Sequence, residues 1–451
     1  MALFGKRKAK PKKRRIVFLG IDGTPHSLVT RLVAEGVCPN LASVLKEGTY
    51  APMYSVYPTV SSVAWSCMMT GVNPARHSIY GFVDRKPGTY KLYIPTSKHM
   101  TSETLWEYLS RMGKRVVVMN VPVTYPPREV NGILVAGFLA PNVDKAVYPT
   151  EMAARLKTLG YRIDTDPWIA RKSKDDFLVD FRETLAGRGR TLLEFMDHEQ
   201  WDYLHCHIME TDRLHHFLWE PMERHDPVYE PAFYDCYRQI DGLVGEVRRR
   251  LDEDTTLIVM SDHGFCTLRQ EVYINNWLRD AGYLSFSSGE PKSVADLAPE
   301  SRAYSLDPGR VFINLRGREP EGTVAPGDEY EQLRDELAAG LMDLRDPESG
   351  DPMIEKVVRR EEIYHGPHFE RAADLVAVPL RGFDLKGAVN RPALTFKGDE
   401  LVGMHTYDDA MLYVQGARFT RTGFSVVDVM PTILDIMELP KPEGLDGVST
   451  V

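Results

Sequence analysis

The sequence predicts an α/β protein in which a central, mostly parallel sheet is flanked by helices and a smaller cap region is inserted late in the chain. Three observations carry this reading. Apolar, β-branched runs such as Ile16-Val17-Phe18-Leu19-Gly20-Ile21 and Thr255-Thr256-Leu257-Ile258-Val259-Met260 alternate with stretches of helical spacing, as parallel strands joined by crossover helices do. Several of these runs end on Asp or His, at Asp22-Gly23 and at Ser261-Asp262-His263-Gly264, and open α/β sheets bind ligands at the carboxyl ends of their strands. From about residue 284 to 400 the chain is richer in Gly, Pro and charge, with only short strand candidates.

Residues 16–21 read as a first, central strand, and Pro39 opens a helix over 39–45. Residues 57–71 read as a loop feeding a helix that stops at Gly71. Ser61 or Ser62 then sits at a helix N-terminus, where free backbone N–H groups favour an anion. A helix over 101–112, a strand over 115–119, a loop marked by Pro122, Pro126 and Pro127, and a strand over 133–136 follow. Residues 175–196 and 233–251 are helical, the second through Phe233, Tyr237, Ile240, Val244, Val247 and Leu251. Between them a buried-strand candidate over 203–209 runs into Glu210-Thr211-Asp212-Arg213-Leu214-His215-His216. If that segment is helical, Asp212 and His216, four residues apart, share a face and can grip one cation.

The cap holds a strand candidate over 311–315 and a helix over 329–344. Core-like sequence returns at 372–378, followed by a Gly403-Met404-His405 turn, a strand over 411–414 and a closing helix over 428–437. The resulting plan is a basic tail (1–15), a first part of the core (16–283), the cap (284–400) and the return to the core (401–451).

With 451 residues, 43% hydrophobic and 26% charged, the chain is long enough for one large domain with an insertion. Five cysteines without a CxxC pair read as reduced intracellular thiols. No stretch resembles a secretory signal or spans a bilayer, so a cytoplasmic location is expected. The first fifteen residues carry Lys6, Arg7, Lys8, Lys10, Lys12, Lys13, Arg14 and Arg15 and no acid. This tail is either a solvated leader or a weak contact for an anionic membrane. The remainder is more acidic than the overall charge of −9, which argues against a partner in sequence-specific nucleic acid.

Asp22, Ser61, Asp212, His216, Asp262, His263 and His405 form a mixed Asp/His set around one serine. Such a set suits two divalent cations, zinc or manganese, better than calcium or magnesium alone.

The motifs Gly20-Ile21-Asp22-Gly23, Pro58-Thr59-Val60-Ser61, Thr70-Gly71-x-Asn73-Pro74-x-x-His77, Asp212-x-x-x-His216, Ser261-Asp262-His263-Gly264 and Gly403-x-His405 together resemble the alkaline phosphatase superfamily, in its type I phosphodiesterase/nucleotide pyrophosphatase branch. The resemblance spans residues from about 16 to 438. It implies an alkaline-phosphatase-like sheet and a hydrolase acting on a small-molecule phosphodiester. It further implies one metal on Asp22, Asp262 and His263, a second on Asp212, His216 and His405, and Ser61 as nucleophile, touching the first metal and passing through a phosphoseryl intermediate. Thr59 and Ser62 are its neighbouring hydroxyls, and His77, His205, His207 and His215 are left as structural groups or supports behind the ligands. Many nucleotide pyrophosphatases carry an Asn downstream of the nucleophile that grips a phosphate oxygen; the corresponding stretch from Ser78 to Arg85 has none. Arg85 either takes that place or is structural. The absence of a Cys-x-Pro-x-Arg stretch argues against the sulfatase branch. A phosphomonoesterase or phosphotransferase keeps the same site, and a non-catalytic binding protein on this fold is expected to have lost ligands.

Overall fold

The computed structural model describes residues 14–451; of the basic tail, Lys6 to Lys13 lie outside the described residues. Arg14 pairs with Glu438 at 2.8 Å and Arg15 with Asp252 at 2.5 Å. The main sheet has eight strands: β1 (Arg15–Ile21), β2 (Gly48–Met53), β3 (Val116–Met119), β4 (Gly132–Val135), β5 (Val147–Tyr148), β6 (Tyr203–Ile208), β7 (Thr255–Ser261) and β8 (Ala410–Gln415). Their order is β2-β8-β7-β1-β6-β3-β4-β5. The inner five are parallel; β8 on one side and β5 on the other run antiparallel to them, and β2, paired antiparallel with β8, runs in the direction of the five. Five parallel strands buried on both faces explain the near-continuous apolar runs.

Alternation along the strands divides the core. Val17, Leu19 and Ile21 face helices α2 (Lys174–His198), α3 (Glu210–Glu223) and α4 (Tyr229–Arg250), whereas Ile16 and Phe18 face α1 (Ser61–Thr70) and α5 (Val429–Ile436). The same period of two turns Gly20 and Asp22 towards α1. Gly20 allows α1 to come close: a Cβ there would lie 2.5 Å from the Trp65 ring. Gly71 ends α1 at φ 65°, a left-handed conformation that glycine adopts without strain.

A smaller antiparallel sheet follows the order 303–306, 310–313, 375–379, 354–359, with the helix Asp328–Met342 packed on it. The run at 372–378, read as a return to the main core, belongs instead near the centre of this sheet. Its apolar pattern reports burial between two neighbours, not which sheet supplies them. The core of this second unit begins with Val272 and Ile274 and reaches Val389. Residues 403–406 are likewise a strand rather than a turn, paired with 264–267 beside the main sheet.

Two buried ion pairs tie this unit to the loop after α1. Arg85 Nη1 lies 2.7 Å from Glu319 Oε2, with side chains 5% and 0% exposed, and Arg310 lies 3.4 Å from Asp84. Removing one partner strands a buried charge. Arg85→Ala is therefore expected to lower stability by about 3–5 kcal/mol in urea unfolding; a loss below 1 kcal/mol would show that the pair does not hold the units together.

His77 is fully buried beside Cys67 Sγ at 3.2 Å, and burial pushes its pKa from 6.5 down to about 3. A histidine held neutral in the folded state stabilises it fully above the unfolded value, and that contribution is lost as pH falls from 6.5 towards 3. The limiting slope is about 1.4 kcal/mol per pH unit. Urea titrations at several pH values are expected to show a shallower acid decline in His77→Gln than in wild type; identical slopes would contradict this.

Candidate active site

The parallel strands deliver their ends to one edge of the sheet. Asp22 leaves β1 fully buried, and its Oδ2 lies 2.9 Å from Trp65 Nε1 and 2.8 Å from His207 Nε2. These two groups fix the carboxylate, leaving Oδ1 to face Ser61 Oγ at 3.1 Å and His263 Nε2 at 3.6 Å. His207 is itself oriented by the Asn120 carbonyl, 2.9 Å from Nδ1.

Ser61 is the first residue of α1; the amides of Val63 and Ala64 donate to the Val60 carbonyl, which leaves those of Ser61 and Ser62 as the helix's free donors. Its hydroxyl also lies 3.2 Å from His263 Nε2. The neighbouring hydroxyls are placed differently: Thr59 Oγ1 donates to the Val56 carbonyl, and buried Ser62 Oγ makes no hydrogen bond. Of the three, Ser61 is the one hydrogen-bonded to the Asp/His cluster.

After β7, Asp262 accepts a hydrogen bond from the Gly23 amide at 3.1 Å through Oδ1, while its buried Oδ2 has no hydrogen-bond partner. Burial, and then the nearby Asp22 carboxylate, push its pKa well above the usual range. His263 Nδ1 faces the Gly264 carbonyl at 3.0 Å, which leaves Nε2 turned into the site. Burial holds this imidazole neutral, the form in which histidine binds a metal.

Asp212 and His216 lie one turn apart on α3, and His405 reaches them from the strand at 403–406. His405 Nε2 is 3.1 Å from both Asp212 Oδ1 and His216 Nε2, and His216 Nε2 is 3.5 Å from Asp212 Oδ1. The Nδ1 atoms of both rings face carbonyls, of Gly403 at 3.0 Å and Thr59 at 3.3 Å. Burial brings His216 down to about 4. Burial also opposes ionisation of Asp212, but His216 and His405 outweigh it and hold the carboxyl well below its ordinary range. The rings of His263 and His405 stack at 3.8 Å, joining the clusters.

Two ligand groups emerge from this geometry, Asp212/His216/His405 and Asp22/Asp212/His263. The structure thus brings all seven predicted residues to one place, with Asp212 shared and Asp262 adjacent through its orphaned Oδ2. Carbonyl-oriented imidazoles with Nε2 directed inward, and three buried carboxylates of which Asp212 has an arginine beside it, fit divalent cations of the nitrogen/oxygen-binding kind.

A cavity of about 730 Å³ opens onto Ser61, Asp212, His216 and His405. The smaller sheet contributes its other wall through Lys356 and residues 376–379, with Asp384 and Lys386 from the neighbouring strand. Arg85 does not line it, being committed to Glu319 and stacked 4.8 Å from the Phe312 ring. It is structural.

Sequence reasoning left His207 among four remaining histidines. His77 and His205 lie in the core, the latter 3.1 Å from Tyr203 Oη, and His215 ties the Gly23 carbonyl to Tyr237. His207 alone of these touches a carboxylate of the cluster. The available signal was the pair His205 and His207, two polar side chains on one face of an otherwise apolar strand.

The fold is that of the alkaline phosphatase superfamily, and the family to which the chain belongs makes it a phosphoryl hydrolase of the phosphodiesterase/pyrophosphatase type. The family model for type I phosphodiesterase / nucleotide pyrophosphatase matches residues 16–408, and the chain belongs to that family. Among solved structures, phosphonoacetate hydrolase from Sinorhizobium meliloti 1021 in complex with phosphonoformate is similar with a TM-score of 0.65 and 16% identity, covering 95% of this chain and 96% of that one. Murine ectonucleotide pyrophosphatase / phosphodiesterase 5 is similar with a TM-score of 0.56 and 16% identity, over 96% and 98% of the two chains. The human form gives 0.57 and 15%, over 96% and 97%. No curated protein matched the sequence.

Proposed function

We propose that the protein hydrolyses a small-molecule phosphodiester, with Ser61 as nucleophile and two divalent cations, zinc or manganese, as cofactors. The observation that carries this reading is the Ser61 hydroxyl, held 3.1 Å from Asp22 and 3.2 Å from His263 at a helix start beside two Asp/His clusters. Asp22, Asp262 and His263 would hold one cation, and Asp212, His216 and His405 the other. Bound cations would supply Lewis acidity and lower the pKa of a coordinated hydroxyl.

The chain's own groups account for the rest. Ser61 Oγ–H donates to Asp22 Oδ1 and gives up its proton along that hydrogen bond as Oγ bonds to phosphorus, while the bond to the leaving group breaks and the departing alkoxide takes a proton from water. The amides at the start of α1 donate where negative charge grows on the phosphoryl oxygens. Water then attacks phosphorus and releases Ser61.

The five unpaired cysteines, four of them buried, support a reducing, cytoplasmic setting. Metal-reconstituted protein assayed on bis-p-nitrophenyl phosphate and p-nitrophenyl phosphate, with and without chelator, tests the reading. Faster, chelator-sensitive diester cleavage supports it. Preference for the monoester would replace it with a phosphomonoesterase on the same site, and inactivity with both metals bound would overturn hydrolysis of simple esters.

A further inference from the structure

Five cations line the cavity: Arg171, Arg213, Lys356, Arg381 and Lys386. Four are engaged away from the cluster. Arg171 pairs with Glu400, Arg381 with Asp408 and Lys386 with Asp384, while Lys356 lies over the rings of Tyr57 and Tyr407. Arg213 differs: among the described residues it is the cavity cation that pairs with a carboxylate of the cluster, its Nη1 lying 3.5 Å from Asp212 Oδ2.

The rest of its guanidinium is held but not saturated. Nη2 donates to Asp164 at 2.9 Å, which anchors one corner, and the group lies 5.8 Å from the centre of the Phe138 ring. Nε is buried without a hydrogen-bond partner. An arginine offers five N–H donors in a fixed plane, and its fork matches two oxygens of a phosphoryl group. The 3.5 Å separation from Asp212 is longer than a hydrogen bond. Arg213 therefore keeps N–H donors beyond the one given to Asp164, and it lines the same cavity as Ser61.

The aromatic surroundings point the same way. Phe138 stacks at 5.8 Å on Phe82, which lies in the stretch where the expected phosphate-gripping Asn is missing. Both rings line the cavity beside Arg213. A phenylalanine there offers no donor, and Arg85, the other polar possibility in that stretch, is committed to Glu319. Arg213, lying against Phe138, offers side-chain donors beside these two rings.

We infer that Arg213 is a substrate-contacting residue: its guanidinium grips a non-bridging phosphoryl oxygen and supplies the donor that Phe82 cannot. This rests on the hydrolase reading above and adds a recognition element. A fixed positive charge at this point favours phosphoryl groups over neutral esters and rewards the growth of negative charge during transfer.

The test uses full-length, metal-reconstituted protein with Arg213→Gln and Arg213→Lys. Three quantities are read: bound metal, kcat and KM on the better nitrophenyl ester, and the affinity for inorganic phosphate from thermal shift and from inhibition. Arg213→Gln is expected to retain both metals, to lose roughly 10²-fold in kcat/KM and to bind phosphate at least about tenfold more weakly. Arg213→Lys, keeping the charge without the fork, is expected to fall between. Loss of metal with unchanged phosphate affinity in the protein that remains loaded would assign Arg213 to steering Asp212 and overturn the inference. So would wild-type kcat/KM and phosphate affinity in Arg213→Gln. If Arg213→Gln does not fold, Arg213→Lys decides alone, unchanged phosphate affinity counting against the inference. A wild-type protein that neither turns over nor binds phosphate would instead sink the hydrolase reading itself.

Discussion

Alanine at position 61 is expected to lower turnover by on the order of 10³-fold or more while leaving metal content and thermal stability close to wild type. On the proposed mechanism the effect is large, because Ser61 would supply the reacting atom and no neighbour is placed to stand in for it. Its hydroxyl sits between Asp22 and His263, whereas Thr59 is bonded to a carbonyl and Ser62 contacts none of the cluster's side chains by hydrogen bond. Serine and alanine differ by one oxygen, so α1 keeps its packing against Gly20. Ser62→Ala provides the contrast, with activity expected near wild type. Steady-state kinetics with metal analysis checks both, and the reverse pattern would move the nucleophile to position 62.

His405→Ala carries the second large effect. This side chain joins Asp212 and His216 at 3.1 Å and stacks on His263, so its removal opens the second ligand group and loosens the first. Bound metal is expected to fall from two ions per chain to one. Activity should drop by more than the 10- to 100-fold typical of losing an outer hydrogen-bond partner. His207→Ala, which removes such a partner from Asp22, is the internal standard for that smaller loss. Metal stoichiometry by mass spectrometry decides the matter. Two tightly held ions in His405→Ala would falsify the assignment of this histidine as a ligand.

Much of this site was legible because its geometry is local. Asp22 and Asp262 each follow an apolar strand at the position where the alternation turns them to the α1 face, and Asp212 and His216 need only one helical turn to meet. The partners chosen by packing across the chain were less accessible. His207 and His205 look alike in the sequence, and only the approach of Trp65 and the end of β1 gives one of them a carboxylate. The strand β2 went unread because Gly48-Thr49-Tyr50-Ala51-Pro52-Met53 lacks alternation and contains a proline, and it exists through pairing with β8, far along the chain. Arg85 shows the converse: a cation in the right stretch, removed from the site by Glu319 of the smaller unit. Arg213 was hidden by its place between two candidate ligands, where it reads as a solvated neighbour.

His405 and β8 come from the last part of the chain, after the whole of the smaller unit. A ribosome must therefore deliver residue 405 before the second ligand group can close, and residues 410–415 before β7 can gain its neighbour on that flank. A chain cut short before residue 405 carries Ser61, Asp212 and His216 but lacks the His405 that joins them.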